Sequence, residues 1–252
     1  MKLLSEKDGL SLSAVFGAGL FIVLCIVLHT APDRLIGAAF CHQLPSRSPA
    51  PDFPFCFRCT GLFSGIFWSI LFSLLSERRG KLFEKKLIIG FSAAFLLFMA
   101  DIINTTEYIP IRWYEEKEEI RFLSSFPLGF MLVQIMAVIW FHFFESLSPG
   151  RPLPAFLCLP CILITAAVSY LIVFSRSMFL LRCFGYFMAA GCLIFLLILY
   201  SILIKCIALL RNRSYTDRTV MTAALSIVFL HICILGGLHI RFFPSEIFQR
   251  IQ

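Results

Sequence analysis

Apolar runs and short polar breaks alternate along the whole chain. Leu10 to about His29 is apolar for roughly 20 residues, the length that crosses a bilayer as a helix. Residues 30–59 are polar and broken by Pro32, Pro45, Pro49, Pro51 and Pro54, so no long helix runs through them. Thr60 to about Leu75 is the second apolar run, closed by the basic segment SERRGKLFEKK at 76–86. Leu87 to about Ile103 is the third, followed by a polar, acid-rich stretch at 104–121 in which Tyr108, Trp113 and Tyr114 suit a membrane-interface belt. Phe122 to about Phe144 and Leu153 to Phe174 follow, separated by the turn SLSPGRP. Met178 to about Leu210 is long enough to predict a tilted helix extending past the bilayer. The basic loop RNRSYTDR precedes the last run, Val220 to about Ile240, and the tail from Arg241 is short and weakly amphipathic. The pattern predicts an all-α, polytopic membrane helix bundle of about seven spans. Heptads, low-complexity tracts and a clear internal repeat are missing from the sequence.

Composition supports lipid as the solvent. The 252 residues are 59% hydrophobic and 15% charged, where a soluble domain is about a quarter charged. The mean hydropathy is +0.88. The first run is too long for a signal-peptide core and no small-residue cleavage pattern follows it, so it reads as a retained anchor. The net charge of +7 points to orientation, and no nucleic-acid partner is expected. Placing 76–86 and Arg211–Arg218 in the cytoplasm puts the N-terminus inside and the C-terminus outside. The cysteine-bearing segment and the acidic 104–121 segment then face outward. The expected location is the bacterial plasma membrane, with the lipid bilayer as the partner.

The polar segment before the second run concentrates the chemistry. Cys41 and His42 are followed by Cys56-Phe-Arg-Cys59. Three thiolates and an imidazole are a donor set for a tetrahedral ion such as zinc, and iron is also compatible. Cys56 and Cys59 alone suffice for thiol–disulfide exchange, with Cys41 as a resolving thiol and with Arg58 and Arg47 favouring the thiolate. A third reading makes the cysteines ordinary thiols or a static disulfide in a transporter or structural membrane protein. Whether the chain is an enzyme stays open. Cys25, Cys183, Cys192, Cys206 and Cys233 lie inside apolar runs, where cysteine packs as a small hydrophobe. Cys158-Leu-Pro-Cys161 is read the same way, on the opposite side of the bilayer from the first cluster.

Asp101 lies near the end of the third run, and a carboxylate there needs a partner. Arg121, at the facing end of the next run, is the first candidate and Arg58 the second. Lys205 is expected to snorkel toward the cytoplasmic surface. His29, His231 and His239 are single histidines, read as hydrated, packing or interface residues. Gly61 and Gly65, four apart, predict a face where a second helix approaches closely.

The run Cys41-His42-Gln43, then Arg47-Ser48, then Cys56-x-Arg58-Cys59-x-Gly61-x3-Gly65 resembles the signature of the DUF2085 family. These are small multi-spanning membrane proteins of bacteria and archaea with no known activity. Asp101 with Asn104, and Arg121 with Gly129, are similar to that family's later motifs, although Ile102 stands where the family often has glycine. The resemblance covers roughly residues 10–145. It implies a four-helix module at 1–145 with the Cys/His loop, followed by a three-helix extension at 146–252. Within it Arg47, Arg58, Asp101 and Arg121 would orient and charge-balance the cysteine site.

Overall fold

The computed structural model describes residue 41, residue 49, residue 53, and residues 55–75, 85–105, 113–115, 117–144, 155–175, 177–212 and 215–242. Among these residues it is wholly helical, with six helices and no strand. They are α1 (Phe57–Leu75), α2 (Lys85–Thr105), α3 (Glu118–Phe143), α4 (Ala155–Phe174), α5 (Met178–Leu210) and α6 (Asp217–Phe242). Each falls on an apolar run of the sequence. The expected first span, Leu10 to His29, lies outside the described residues. Five helices are long and apolar enough to cross a membrane, and α1 supplies a shorter apolar stretch, Phe57–Ser73. The chain is therefore a polytopic helical membrane protein.

Two compact units divide it: Ser46–Cys192, and a second made of Met1–Pro45 with Leu193–Gln252. In the first, α3 is the hub. α1 lies against it, α2 and α4 also pack on it, and α1 touches α4. The sequence explains why α1 stays inside. Its inner face carries Thr60, Gly61, Ser64, Gly65 and Ser69, which are small enough for backbone contact and polar enough to hydrogen-bond across it. A methyl group added at Gly61 would strike the Phe122 carbonyl, one at Gly65 the Phe126 carbonyl, and one at Gly129 the Leu62 carbonyl. Both expected glycines of α1 thus meet the α3 backbone, and α3 answers with a glycine of its own.

Hydrogen bonds hold that contact. The Ser69 hydroxyl donates to the Phe130 carbonyl at 2.8 Å. The fully buried Gln134 amide donates to Ser69 at 2.8 Å and to Ser73 at 3.1 Å. On the other flank the Trp68 indole donates to Ser169 of α4 at 2.8 Å. Such bonds contribute about 0.6 kcal/mol each on average inside a membrane, so they fix register more than they add stability. The outer faces are different. Ile88, Ile89, Leu96 and Leu97 of α2, and Leu159, Leu163, Ile164 and Leu171 of α4, are exposed. In water they would be a liability; against lipid tails they are the expected surface.

In the second unit, the α5 segment from Leu193 faces α6. Lys205 forms an ion pair with Asp217 at 2.6 Å and donates to the Tyr215 carbonyl at 3.2 Å, so its ammonium ends among the residues that open α6. Tyr200 and His231 share a hydrogen bond of 2.6 Å. His231 therefore has a defined side-chain partner on the neighbouring helix. Asn212 ends the turn after α5 in the left-handed conformation, with φ of 50°, a position that asparagine tolerates well.

Candidate metal and thiol site

The start of α1, the end of α2 and the start of α3 meet at one end of the first unit. Phe57 stacks on Phe174 at 5.4 Å, and Phe122 meets Phe174 edge-on at 6.4 Å, so the end of α4 lies there too. Sixteen residues separate Cys158 from Phe174 along α4, about 24 Å at 1.5 Å per residue. Cys158 and Cys161 therefore lie toward the other end of this unit.

Cys56 stands immediately before α1 and acts as its N-terminal cap. Its sulfur accepts the Cys59 amide N–H at 3.5 Å, and its carbonyl accepts both the Thr60 amide and the Thr60 hydroxyl at 2.8 Å. Sulfur takes the role that a serine or aspartate oxygen usually fills. The C-x-x-C spacing follows directly, because a cap residue meets the amide three positions on. Phe55 is buried and packs on Phe63 at 5.1 Å, which fixes the approach of the chain to this turn.

The sulfurs of Cys56 and Cys59 lie within 4.8 Å of each other. Cys56 is buried and Cys59 is half-buried. An ion bound to sulfur at about 2.3 Å in tetrahedral geometry holds its sulfurs about 3.8 Å apart, so small rotations would bring this pair onto one ion. Cys41 is buried as well and belongs to the other compact unit. His42 and Arg47, the other residues expected here, lie outside the described residues.

Arg58, between the two cysteines, turns toward α2. Its Nε and Nη2 reach Asp101 Oδ2 at 2.8 and 2.6 Å. Asp101 is 1% exposed, so this ion pair is buried; Arg58 is the second of the two arginines considered as its partner from sequence. The Tyr114 hydroxyl donates to Asp101 Oδ1 at 2.8 Å. Burial, and then the carboxylate beside it, push the Tyr114 hydroxyl up to about 12, so it stays protonated and donating at physiological pH. Asn104, three residues after Asp101 on the same face of α2, accepts the Trp113 and Tyr114 amides at 2.6 and 3.3 Å. It returns a bond to the Tyr114 carbonyl at 3.1 Å. Arg121 is buried at the start of α3, where its guanidinium acts on Tyr114 electrostatically.

The segment from the first of these cysteines to the middle of α3 has relatives. Residues 41–135 match the DUF2085 family, described as a predicted membrane protein. No curated protein and no solved structure matches the chain. The matched segment begins at Cys41 and contains Cys56, Cys59, Arg58, Asp101, Asn104, Tyr114 and Arg121, the residues of this end of the unit. It also contains Gly61, Gly65, Gly129 and Gln134, which make the α1–α3 contact beneath it.

Two contributors were not visible in sequence. Tyr114 reads there as a belt aromatic beside Trp113, but Trp113 is 62% exposed while Tyr114 turns in to Asp101. Gln134 sits in an apolar run with no acid or base to draw notice.

Proposed function

We propose that this membrane protein binds a soft transition-metal ion, zinc or iron, through Cys41, Cys56 and Cys59. His42 is a candidate fourth ligand, and Arg47, Arg58, Asp101 and Arg121 orient and charge-balance the set. The observation that carries the reading is the pairing of two sulfurs, Cys56 and Cys59, within 4.8 Å at the start of α1, with Cys41-His42 as further soft donors in the chain just before it. Thiolate donors select zinc, Cu(I) and iron over hard cations. Arg58 supports it as well: its ion pair with Asp101 fixes the turn that carries Cys56 and Cys59. The site faces outward from a bacterial plasma membrane in this reading, on the strength of the basic loops at 76–86 and 211–218.

One observation favours a second reading, a membrane thiol–disulfide oxidoreductase. Cys56 caps a helix N-terminus and receives an amide N–H, the placement that activates the first cysteine of C-x-x-C redox motifs. Oxidation of Cys56 and Cys59 to a disulfide would release two electrons and two protons to a quinone or to a partner disulfide, with Cys41 resolving.

Metal analysis of the purified protein, paired with thiol counting before and after reduction, separates them. Zinc or iron near one per chain, lost in Cys41→Ser, supports the first. A metal-free protein whose Cys56–Cys59 pair cycles with a quinone replaces it with the second. A protein that does neither leaves the cysteines a structural role.

A further inference from the structure

Three segments that are remote in sequence are tied together at Asp101. Arg58 brings the first turn of α1, Asp101 and Asn104 bring the last turns of α2, and Tyr114 brings the segment that leads into α3. Both carboxylate oxygens of Asp101 are engaged, one by the guanidinium and one by the phenol. Asn104 fastens the backbone that presents the phenol, with bonds to two amides and one carbonyl. The cysteines move with Arg58. Cys59 follows it directly, and the Cys56 cap bonds to Cys59 and Thr60 make the turn one hydrogen-bonded piece.

Resting on the metal reading above, we propose that Tyr114 and Asn104 are positioning residues for the cysteine site: acting through Asp101, they hold Arg58 and so set the rotation of the turn that carries Cys56 and Cys59. Neither residue needs to touch a sulfur. A helix with its side chains is about 10–12 Å across, so a rotation of about 20° moves a rim atom by about 2 Å. That is comparable to a metal–sulfur bond of about 2.3 Å, and it decides whether the two sulfurs of α1 can share an ion. The protonated Tyr114 hydroxyl supplies a donor that does not change over the physiological range, so the hold on Asp101 is constant. Partners of ligand-bearing groups typically change metal affinity 10–100-fold, and this chain of contacts ends on the turn holding two of the three sulfurs.

The test is a Co(II) titration of the full-length protein in detergent, read by the sulfur-to-cobalt charge-transfer absorption. Asp101→Asn leaves a buried guanidinium without its counter-charge, so the milder Tyr114→Phe and Asn104→Ala are the informative variants. Each is expected to weaken Co(II) 10–100-fold and to alter the charge-transfer band, and Asn104→Asp, which keeps the acceptor, is expected to restore part of the loss. Ser169→Ala removes the Trp68 bond elsewhere in the same unit and serves as the control for general loosening. If Tyr114→Phe and Asn104→Ala bind Co(II) like the unchanged protein, the positioning role falls and the metal reading stands. If Ser169→Ala weakens Co(II) as much as they do, the effect is loosening and the positioning role falls. If the unchanged protein takes up no Co(II), zinc or iron, the metal reading falls and this inference falls with it.

Discussion

Arg58 and Asp101 are 43 residues apart in the chain and 2.6 Å apart in space. Removing one charge of such a buried pair leaves the other without compensation, at a cost of about 3–5 kcal/mol, whereas replacing both is far milder. Asp101→Ala and Arg58→Ala are each expected to lower folded yield sharply. The double change Arg58→Leu with Asp101→Leu should recover much of it. Thermal unfolding in detergent, arranged as a double-mutant cycle, measures this, and a double variant as damaged as the sum of the singles would show that the pair is not acting as a unit.

The glycine seam makes a second prediction. A side chain at Gly61, Gly65 or Gly129 meets backbone, which yields less readily than the end of a flexible side chain. Gly61→Leu, Gly65→Leu and Gly129→Leu are expected to lower folded yield several-fold, while Leu96→Ala on the lipid-facing side of α2 should change it little. Overpacking of this kind costs about 1–3 kcal/mol or more. Equal yields for all four would place the seam at lipid.

For the cysteines the expectation is non-additivity. Losing one ligand of a three- or four-ligand site removes most of its affinity, so a second loss has little left to remove. Cys41→Ser, Cys56→Ser and Cys59→Ser should show similar losses of bound metal, and the triple variant should resemble each. His42→Ala should match them only if His42 is a ligand. Cys158→Ser and Cys161→Ser should be near neutral. A silent Cys41→Ser beside damaging Cys56→Ser and Cys59→Ser would replace the metal with a two-cysteine disulfide.

Tyr114 gives a pH dependence. Its hydroxyl ionises at about 12 in the folded protein against about 10 when unfolded, so the protonated form is what folding favours. The stabilisation is complete below pH 10 and fades as pH rises from 10 toward 12. The difference in melting temperature between the unchanged protein and Tyr114→Phe should therefore shrink across that window. A constant difference would place the Tyr114 contribution outside its hydrogen bond.

Orientation is tested by reporter fusions. Reporters after Gly80 and after Arg213 should read cytoplasmic, and one after Gln252 should read external, as the basic loops require. A cytoplasmic C-terminal reporter would mean an even number of spans.

The helices were legible because lipid leaves a coarse mark: each of α1 to α6 coincides with an apolar run bounded by charges or proline. The glycine contact was legible too, since Gly61 and Gly65 repeat at helical spacing. Its partner helix was not, because α3 presents carbonyls and one glycine, and backbone leaves no pattern of its own in a sequence. The cysteines could be picked out by type, but the capping role of Cys56 depends on where α1 starts, which residue type does not fix. The pairing of Arg58 with Asp101 likewise depends on helix rotation, which residue spacing does not fix. Tyr114 and Gln134 escaped because an aromatic in a belt and an amide in an apolar run are ordinary until their bonds are seen.

The backbone contact of α1 with α3 also constrains traffic. Where Gly61, Gly65 and Gly129 let main chains touch, no space is left for a file of water or a lipid tail, and Gln134 with Ser69 closes the seam further along. A solute or ion crossing this unit would have to travel by another route, and a rocking motion that parted α1 from α3 would strand buried amide and hydroxyl groups in hydrocarbon. The seam is therefore a seal between these two helices.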